Sequence, residues 1–487
     1  MFRSYAVTAL AATAGLAALL GTGPAAAAAP GTPPAAAPQT APAAPAAVGS
    51  RPGSDFVQRD GTRLTVGGRP FRYGGANIYW LGLDENVGGI AYPTHFRISD
   101  ALETARDMGA TVVRAQTLGI STGNPLSVEP SLGTFNQKAF GPIDYSVYRA
   151  GQLGLRLNIP LTNYWNYYLG SIYDFTTWLG QPPCTSSSYA CPALAQYFYT
   201  SPAAIAAFEQ YISHLLNHVN AYTGLPYKDD PTIMSWELGN ELNGMPESWI
   251  TTIAAFIHRI APHQLVSAGQ QFNVSAAAAA SPAIDMVDVH YYPPSASGVE
   301  ADASTVTGAG KVYIADEYGS VYASPALFQA MVADPEISGA SFWSLFAHND
   351  TYGYVQHDDG FTLHYPGDTA AMAADGQNIR QFDISMTRGA WGPVAPPPAP
   401  GQPLITSVTR SNGHAVIAWR GTTDAGAYTV QAASRAGRWT TICDRCASDN
   451  DTPWTDPAAA SARPMWYRVI PCTPRGRSGI PSAPARG

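Results

Sequence analysis

Charge is scarce in this chain. Asp, Glu, Lys and Arg make up 13% of its 487 residues, about half the usual share of roughly 25%, and lysine is nearly absent. The formal net charge is −8. A surface so poor in cations excludes nucleic acid or an anionic membrane as the main partner, because both are bound through clustered Lys and Arg. A neutral ligand suits it better. Cysteine is also scarce, at five residues. Cys184 and Cys191 lie in one loop that their pairing would brace, whereas Cys443, Cys446 and Cys472 leave one thiol over or the pairing open. No second Cys pair or nearby His completes a zinc site at Cys443 and Cys446, so no metal is expected. Beyond the N-terminal leader no stretch is apolar enough to span a bilayer.

The first 29 residues read as a signal peptide: Arg3, an apolar run from Tyr5 to Leu20, then small residues ending near Ala29. A secreted, extracellular protein is expected, with no membrane partner once the leader is cleaved. Residues 30–52 are almost wholly Pro and Ala and cannot bury enough apolar surface to fold, so they predict a linker. A second Pro-rich linker at 393–403 separates a body, 53–392, from a tail of small-domain size, 404–487. A monomer is expected.

In the body, eight apolar runs of strand length alternate with helical patterns. The runs are Arg72–Tyr79, Thr111–Gln116, Arg156–Leu161, Met234–Glu241, Leu265–Gly269, Met286–Tyr292, Lys311–Gly319 and Gly339–Leu345. Amphipathic stretches such as Ser99–Gly109 and Ser248–Ile260 lie between them, with Ser99 as candidate N-cap and Gly109 as candidate stop. Eight such repeats over about 340 residues predict an α/β fold, a (β/α)8 TIM barrel. The rival is an open doubly wound sheet, but no Gly-rich phosphate loop follows the first run.

A TIM barrel carries its chemistry where the strands end. The second run ends near Arg114, the fourth in Asn240-Glu241, the sixth in His290-Tyr-Tyr292, the seventh in Asp316-Glu317 and the eighth near Trp343. A core would not select these residues, since buried charge is costly unless paired. Two opposed carboxylates are what glycosidic cleavage requires, one to protonate the leaving oxygen and one to attack the anomeric carbon. Arg114 beside Glu317 would hold it ionised as nucleophile, while burial and the changing negative charge of its partner would keep Glu241 protonated as acid/base. His290 and Tyr292 can orient by hydrogen bonding, and Trp343 offers a face for a sugar ring. Trp80 and Trp165 are further candidate platforms. By strand parity Asp316 should face away from the barrel axis, and Glu237 should sit deeper than Glu241 in a buried supporting place.

Trp236-Glu-Leu-Gly-Asn-Glu241 resembles the acid/base motif of glycoside hydrolase family 5, and Ile314-Ala-Asp-Glu-Tyr-Gly319 resembles its nucleophile strand. Arg114, His290, Tyr292 and Trp343 fall in that family's order. The resemblance spans roughly residues 55–390. It implies a retaining double displacement, no cofactor, and an Asn240 that binds the sugar 2-hydroxyl. Gly-Gly-Ala-Asn-Ile-Tyr-Trp-Leu at 74–81 and Asn-Ile-Pro-Leu-Thr-Asn-Tyr-Trp at 158–165 look most like the endo-β-1,4-mannanase branch. Many family members carry a His near the end of strand three, where this chain has Asn163, Tyr164 and Trp165, a departure that fits mannanases better than cellulases. The implied substrate is a β-1,4-linked polysaccharide, foremost mannan. A β-1,4-glucanase and an exo-acting glycosidase are the alternatives within the family, and a catalytically silent carbohydrate-binding barrel is the alternative outside it. Residues 167–199 match nothing assignable.

The tail alternates short β-like runs with turns, as in a small all-β sandwich. Trp419 followed by Tyr428, and Trp466-Tyr-Arg-Val, resemble a fibronectin type III module. A sugar-binding module using Trp439 or Trp454 is the alternative.

Overall fold

The computed structural model describes residues 55–391 except 168, and residues 397–487 except 436, 451 and 459–464. The expected leader and first linker, and residues 393–396 of the second linker, lie outside the described residues.

Eight parallel strands close into a barrel: β1 (Tyr73–Asn77), β2 (Val112–Arg114), β3 (Arg156–Pro160), β4 (Ile233–Glu237), β5 (Leu265–Ser267), β6 (Met286–Tyr291), β7 (Val312–Gly319) and β8 (Ile337–Trp343), with β8 paired to β1. Each expected run supplies one strand. Every residue of these strands is buried, because barrel interior and helix layer cover both faces, which is why they read as continuous apolar runs rather than alternating ones.

The helix His95–Met108 follows β1 and starts four residues before Ser99. Thr94 is its N-cap, accepting the Arg97 N–H at 3.2 Å, while the Ser99 hydroxyl pairs with Tyr145 Oη at 2.7 Å. Gly109 ends it as expected, at φ 98°. The helix Glu247–Ile260 buries Trp249, Ile250, Ile253, Ala254 and Ile257 on one stripe. Each large side chain of that stripe contributes roughly 1.5–3 kcal/mol by leaving water.

A three-stranded antiparallel sheet, Val57–Asp60, Arg63–Val66 and Arg69–Phe71, precedes the barrel. Its Val57, Leu64, Val66 and Phe71 pack onto Val112, Met234, Leu265, Met286 and Val312 at the strand starts, sealing the end away from the candidate site. These strands are too short to stand out in the sequence.

The tail is all-β. One sheet pairs Leu404–Ser411, His414–Arg420 and Trp454–Thr455; the other pairs Thr440–Ala447, Ala427–Ala433, Trp466–Cys472 and Ala485–Arg486. Trp419, Tyr428, Val430, Tyr467 and Val469 form their shared core. Cys443 pairs with Cys446, and Cys472 is a buried thiol.

Among the described residues, a buried charged link joins the tail to the barrel. His348, in the loop after β8, has Nδ1 2.8 Å from Asp100 Oδ2 and Nε2 3.0 Å from Asp449 Oδ2. The Tyr428 hydroxyl donates to the same Asp449 oxygen at 2.6 Å. A Cβ on Gly421 would meet Asp449 Oδ2 at 2.3 Å and the His348 ring at 2.4 Å, so only glycine admits this approach. The Arg420 guanidinium lies 3.8 Å over the Phe96 ring beside it. Burial opposes charge on His348, but the two aspartates outweigh it and push its pKa up to about 10.

Because the folded pKa lies above an unfolded value near 6.5, the link stabilises fully below that value and is lost as pH rises through about 10. His348→Gln leaves two buried carboxylates without their cation and should lower unfolding free energy at pH 7 by about 3 kcal/mol or more. Thermal melts of both proteins check this, and the gap between them should narrow above pH 10.

Candidate active site

Arg114, the last residue of β2, is wholly buried, and all five of its N–H donors are used. Nε donates to Glu237 Oε2 and Nη2 to Glu237 Oε1, both at 2.7 Å. Nη2 also reaches Asn240 Oδ1 at 2.9 Å, and Nη1 donates to Asn77 Oδ1 at 3.1 Å and to Glu317 Oε1. Asp316 Oδ2 lies 3.1 Å from Nε. One guanidinium thus ties together the ends of β1, β2, β4 and β7. Burial works against its charge, but the pull of Glu237, Glu317 and Asp316 is greater and raises its pKa well above the usual value.

Asp316 does not face away. The pairing of β7 slips after Ala315 on both sides: Ala315 pairs with Val289 and Glu317 with the very next residue, His290. A β-bulge inserts one residue and breaks the two-residue alternation, so Asp316 and Glu317 both point inward. Asp316 accepts from Asn158 Nδ2 at 2.7 Å and is fully buried. Glu237 takes the deep position expected of it. Burial raises the pKa of both against the lowering effect of Arg114.

Glu241 stands four residues past the end of β4. The chain there stays hydrogen-bonded to both neighbours: Leu238 N to Ser267 O at 3.0 Å, Asn240 N to Thr162 O at 2.7 Å, Leu242 N to Gly269 O at 2.9 Å. These bonds hold Glu241 at φ 55°, a left-handed conformation that disfavours a side chain. The contact is close enough that a Cβ on Gly269 would fall 1.8 Å from Gly239 O. The Glu241 carboxylate accepts from Trp165 Nε1 and faces His290 Nδ1 at 2.9 Å, and the same Nδ1 lies 3.3 Å from Glu317 Oε2. The Tyr292 hydroxyl donates to Glu317 Oε2 at 2.8 Å. Carboxylate oxygens of Glu241 and Glu317 and a His290 nitrogen all lie within 4.8 Å of one another.

The proton is not where burial alone would put it. Burial raises the Glu241 pKa, but the hydrogen bond and charge of His290, with Trp165 and Arg114, more than offset it and leave it lowered. His290 is pushed up to about 9: burial lowers it, and Glu317 and Glu241 overcome that. The raised His290 and the lowered Glu241 together favour the proton on the imidazole rather than on Glu241.

By spacing, Glu241–His290–Glu317 and Glu237–Asp288–Asp316 could each hold a cation. The positive charge such an ion would bring is already supplied, by His290 in the upper group and by Arg114 against Glu237 and Asp316 in the lower.

Arg114, Asn240, Glu241, His290, Tyr292, Glu317 and Trp165 are thus brought together. Asn240 commits Oδ1 to Arg114 and one Nδ2 hydrogen to Asn163 at 3.0 Å, leaving its other hydrogen for a ligand. Trp343 stacks on Tyr79 at 5.5 Å, and its Nε1 donates to Asp359 at 2.5 Å. Trp80 is a packing residue: it is 0% exposed, bonded to Leu345 O and covered by Arg97 and Phe346, so no sugar can reach it. Sequence reasoning missed Gln116, whose Nε2 lies 3.4 Å from Glu317 Oε1, and Asn77, Asn158 and Asp359. Asn77, Asn158 and Gln116 all end or lie in the predicted runs; Asp359, in the long loop after β8, carries no such signal.

Residues 54–305, just over half of the chain, match the family described as GH family 5 beta-mannosidase-like. A rice protein (Oryza sativa subsp. japonica) provisionally named mannan endo-1,4-beta-mannosidase 5 is 26% identical over 401 residues, 69% of this chain and 78% of its own. The rice mannan endo-1,4-beta-mannosidase 2 is 33% identical over 233 residues, 46% of this chain and 49% of its own, so the chain spans only about half of some relatives that it matches. The crystal structure of a glycoside hydrolase family 5 mannosidase from Rhizomucor miehei shares the barrel, with a TM-score of 0.58 at 21% identity over 69% of this chain and 98% of that one. The chain belongs to the β-mannosidase-like family of glycoside hydrolase family 5.

Proposed function

We propose that this protein is a secreted, retaining endo-β-1,4-mannanase in which Glu317 is the nucleophile and Glu241 the acid/base. The observation that carries the mechanism is the approach of the two carboxylates, whose oxygens come within 4.8 Å of one another. That matches the close pair of a double displacement, near 5–5.5 Å, and not the roughly 6.5–9.5 Å gap that inversion needs for its water. Mannan as substrate is supported by the names of the rice relatives. Export is supported by the leader-like first 29 residues and by two disulfides, Cys184–Cys191 and Cys443–Cys446.

Glu317 attacks the anomeric carbon as the glycosidic C–O bond breaks, and its electron pair leaves on the departing oxygen. That oxygen takes a proton from Glu241. Water then yields a proton to Glu241 and displaces Glu317 from the anomeric carbon, restoring both carboxyls. Arg114 and Tyr292 withdraw charge from Glu317 so that it can also leave. His290 holds the proton that Glu241 must carry at the first step, 2.9 Å from the receiving oxygen. Asn240 uses its uncommitted hydrogen on the 2-hydroxyl, and Trp343 stacks under the sugar. The tail is read as a fibronectin type III-like spacer, which its three- and four-stranded antiparallel sheets support. The chain is taken to act as a monomer on neutral polysaccharide.

Reducing-sugar release on galactomannan, glucomannan, carboxymethyl-cellulose and xylan tests the substrate, with activity expected on the two mannans. Glu241→Ala and Glu317→Ala should remain folded and lose roughly 10²-fold or more of kcat. Activity confined to glucans would overturn the substrate, and near-full turnover by Glu317→Ala would overturn the site.

The proton on the His290–Glu241 pair leaves as pH rises through about 9, so kcat/KM should fall over that range, the pair titrating as one unit. His290→Asn removes the imidazolium and should draw this alkaline limb down by about one pH unit or more. An unmoved limb would show that His290 does not hold the catalytic proton.

A further inference from the structure

The connection after β3 carries an insertion that the catalytic reading leaves unused. From Trp165 the chain passes two short helices, Ile172–Trp178 and Pro192–Thr200, and between them the disulfide Cys184–Cys191 closes a small loop. That loop is sewn back onto the segment beside the catalytic pair. Asn166 N donates to Tyr189 O and Asn166 Nδ2 to Cys184 O, both at 2.8 Å, and Cys191 N donates to the Tyr173 hydroxyl at 2.9 Å.

Such bracing costs ordering entropy and backbone strain; Cys184 seats the loop on the barrel's apolar core, with Ala190 and Cys191 packed beside it. Tyr189 is held at φ 58°, a left-handed conformation unusual for a bulky residue. What the bracing presents is aromatic surface: Tyr189 is 53% exposed and Tyr167 48%. Their rings meet edge to face at 5.3 Å, and Tyr167 lies nearly parallel to Trp165, at 15° with centroids 6.3 Å apart. Trp165 in turn donates to Glu241. Tyr167 lies within electrostatic reach of Glu241, Glu317 and Asp359, which places it at the cleft. A groove of about 270 Å³ continues from Tyr167 past Asn166, Asn124 and Glu85. Glu85 Oε1 accepts from the Tyr79 hydroxyl at 2.8 Å, and its buried Oε2 has no hydrogen-bond partner among the described residues.

From this arrangement we infer that Tyr167 and Tyr189 form a distal sugar-stacking subsite, built on the disulfide-closed loop, that favours long β-1,4-linked chains over short ones. Trp165 and Tyr167 present two nearly parallel rings with centroids 6.3 Å apart, and both faces are apolar and uncharged, as pyranose C–H surfaces require. Asn124, Asn166 and Glu85 offer hydrogen-bonding groups for the hydroxyls along the groove. This role rests on the proposed glycan-cleaving function but is measured apart from turnover.

Calorimetric binding of mannohexaose and mannobiose to Glu317→Ala, with and without Tyr167→Ala and Tyr189→Ala, tests it. The two alanine changes together should reduce the preference for the hexaose over the biose by about five-fold or more. Tyr167→Phe with Tyr189→Phe should keep that preference, since the rings remain. An unchanged preference in the folded alanine variant, or equal loss for both sugars, would overturn the subsite. If wild-type protein cleaves no mannan, the hydrolase reading fails by itself, and hexaose binding still decides whether these tyrosines hold sugar.

Discussion

A guanidinium with no contact to water sits at the centre of this barrel. Taking Arg114 and its partners out of water costs several kcal/mol per ion, and only complete pairing offsets that. The pairing is complete: five donors meet oxygens of Glu237, Asn240, Asn77 and Glu317, with Asp316 alongside. The cluster is a poor source of stability, since well-packed apolar residues could do as well. Its value is positional. Four strand ends share one rigid planar cation, so a shift of any one would strand a buried charge, and Glu317 is fixed relative to Asn240 and thereby to Glu241.

Two local departures from regular geometry complete the placement. The bulge at Asp316 turns two successive acids inward, one to the Arg114 cluster and one toward the cleft. The left-handed Glu241 turns its carboxylate back toward His290 just where the strand-like hydrogen bonding ends. The left-handed Glu241 stores strain at the reacting centre and is maintained by neighbours that leave no room for relaxation, as the approach of Gly269 to Gly239 shows. The carboxylates then differ in environment: Arg114 and Tyr292 face Glu317, while a protonated imidazole faces Glu241.

The barrel was legible because strands buried on both faces leave unbroken apolar runs, and each of the eight became a strand. The strand-end polar residues were legible because a core rejects them. Asp316 was misplaced because alternation assumes regular pleating, and a bulge is invisible in a run of otherwise ordinary strand residues. Burial and the negative charge of the partner carboxylate suggested a protonated Glu241, but pKa depends on every neighbour, and His290 lies 49 positions away in sequence. Trp80 reads the same whether it packs or binds; only the depth of its pocket decides. The link His348–Asp449 joins a barrel loop to the tail and had no local pattern to betray it.

Trapping the covalent intermediate would test the placement of Glu317 most directly. Incubation with a deoxyfluoro-mannosyl fluoride, followed by peptic digestion and mass spectrometry, should find one sugar per protein on the peptide spanning Ile314–Tyr318, esterified to Glu317. Active protein that forms no adduct, or carries it on Glu241, would contradict the assignment of the nucleophile and the role given to Arg114.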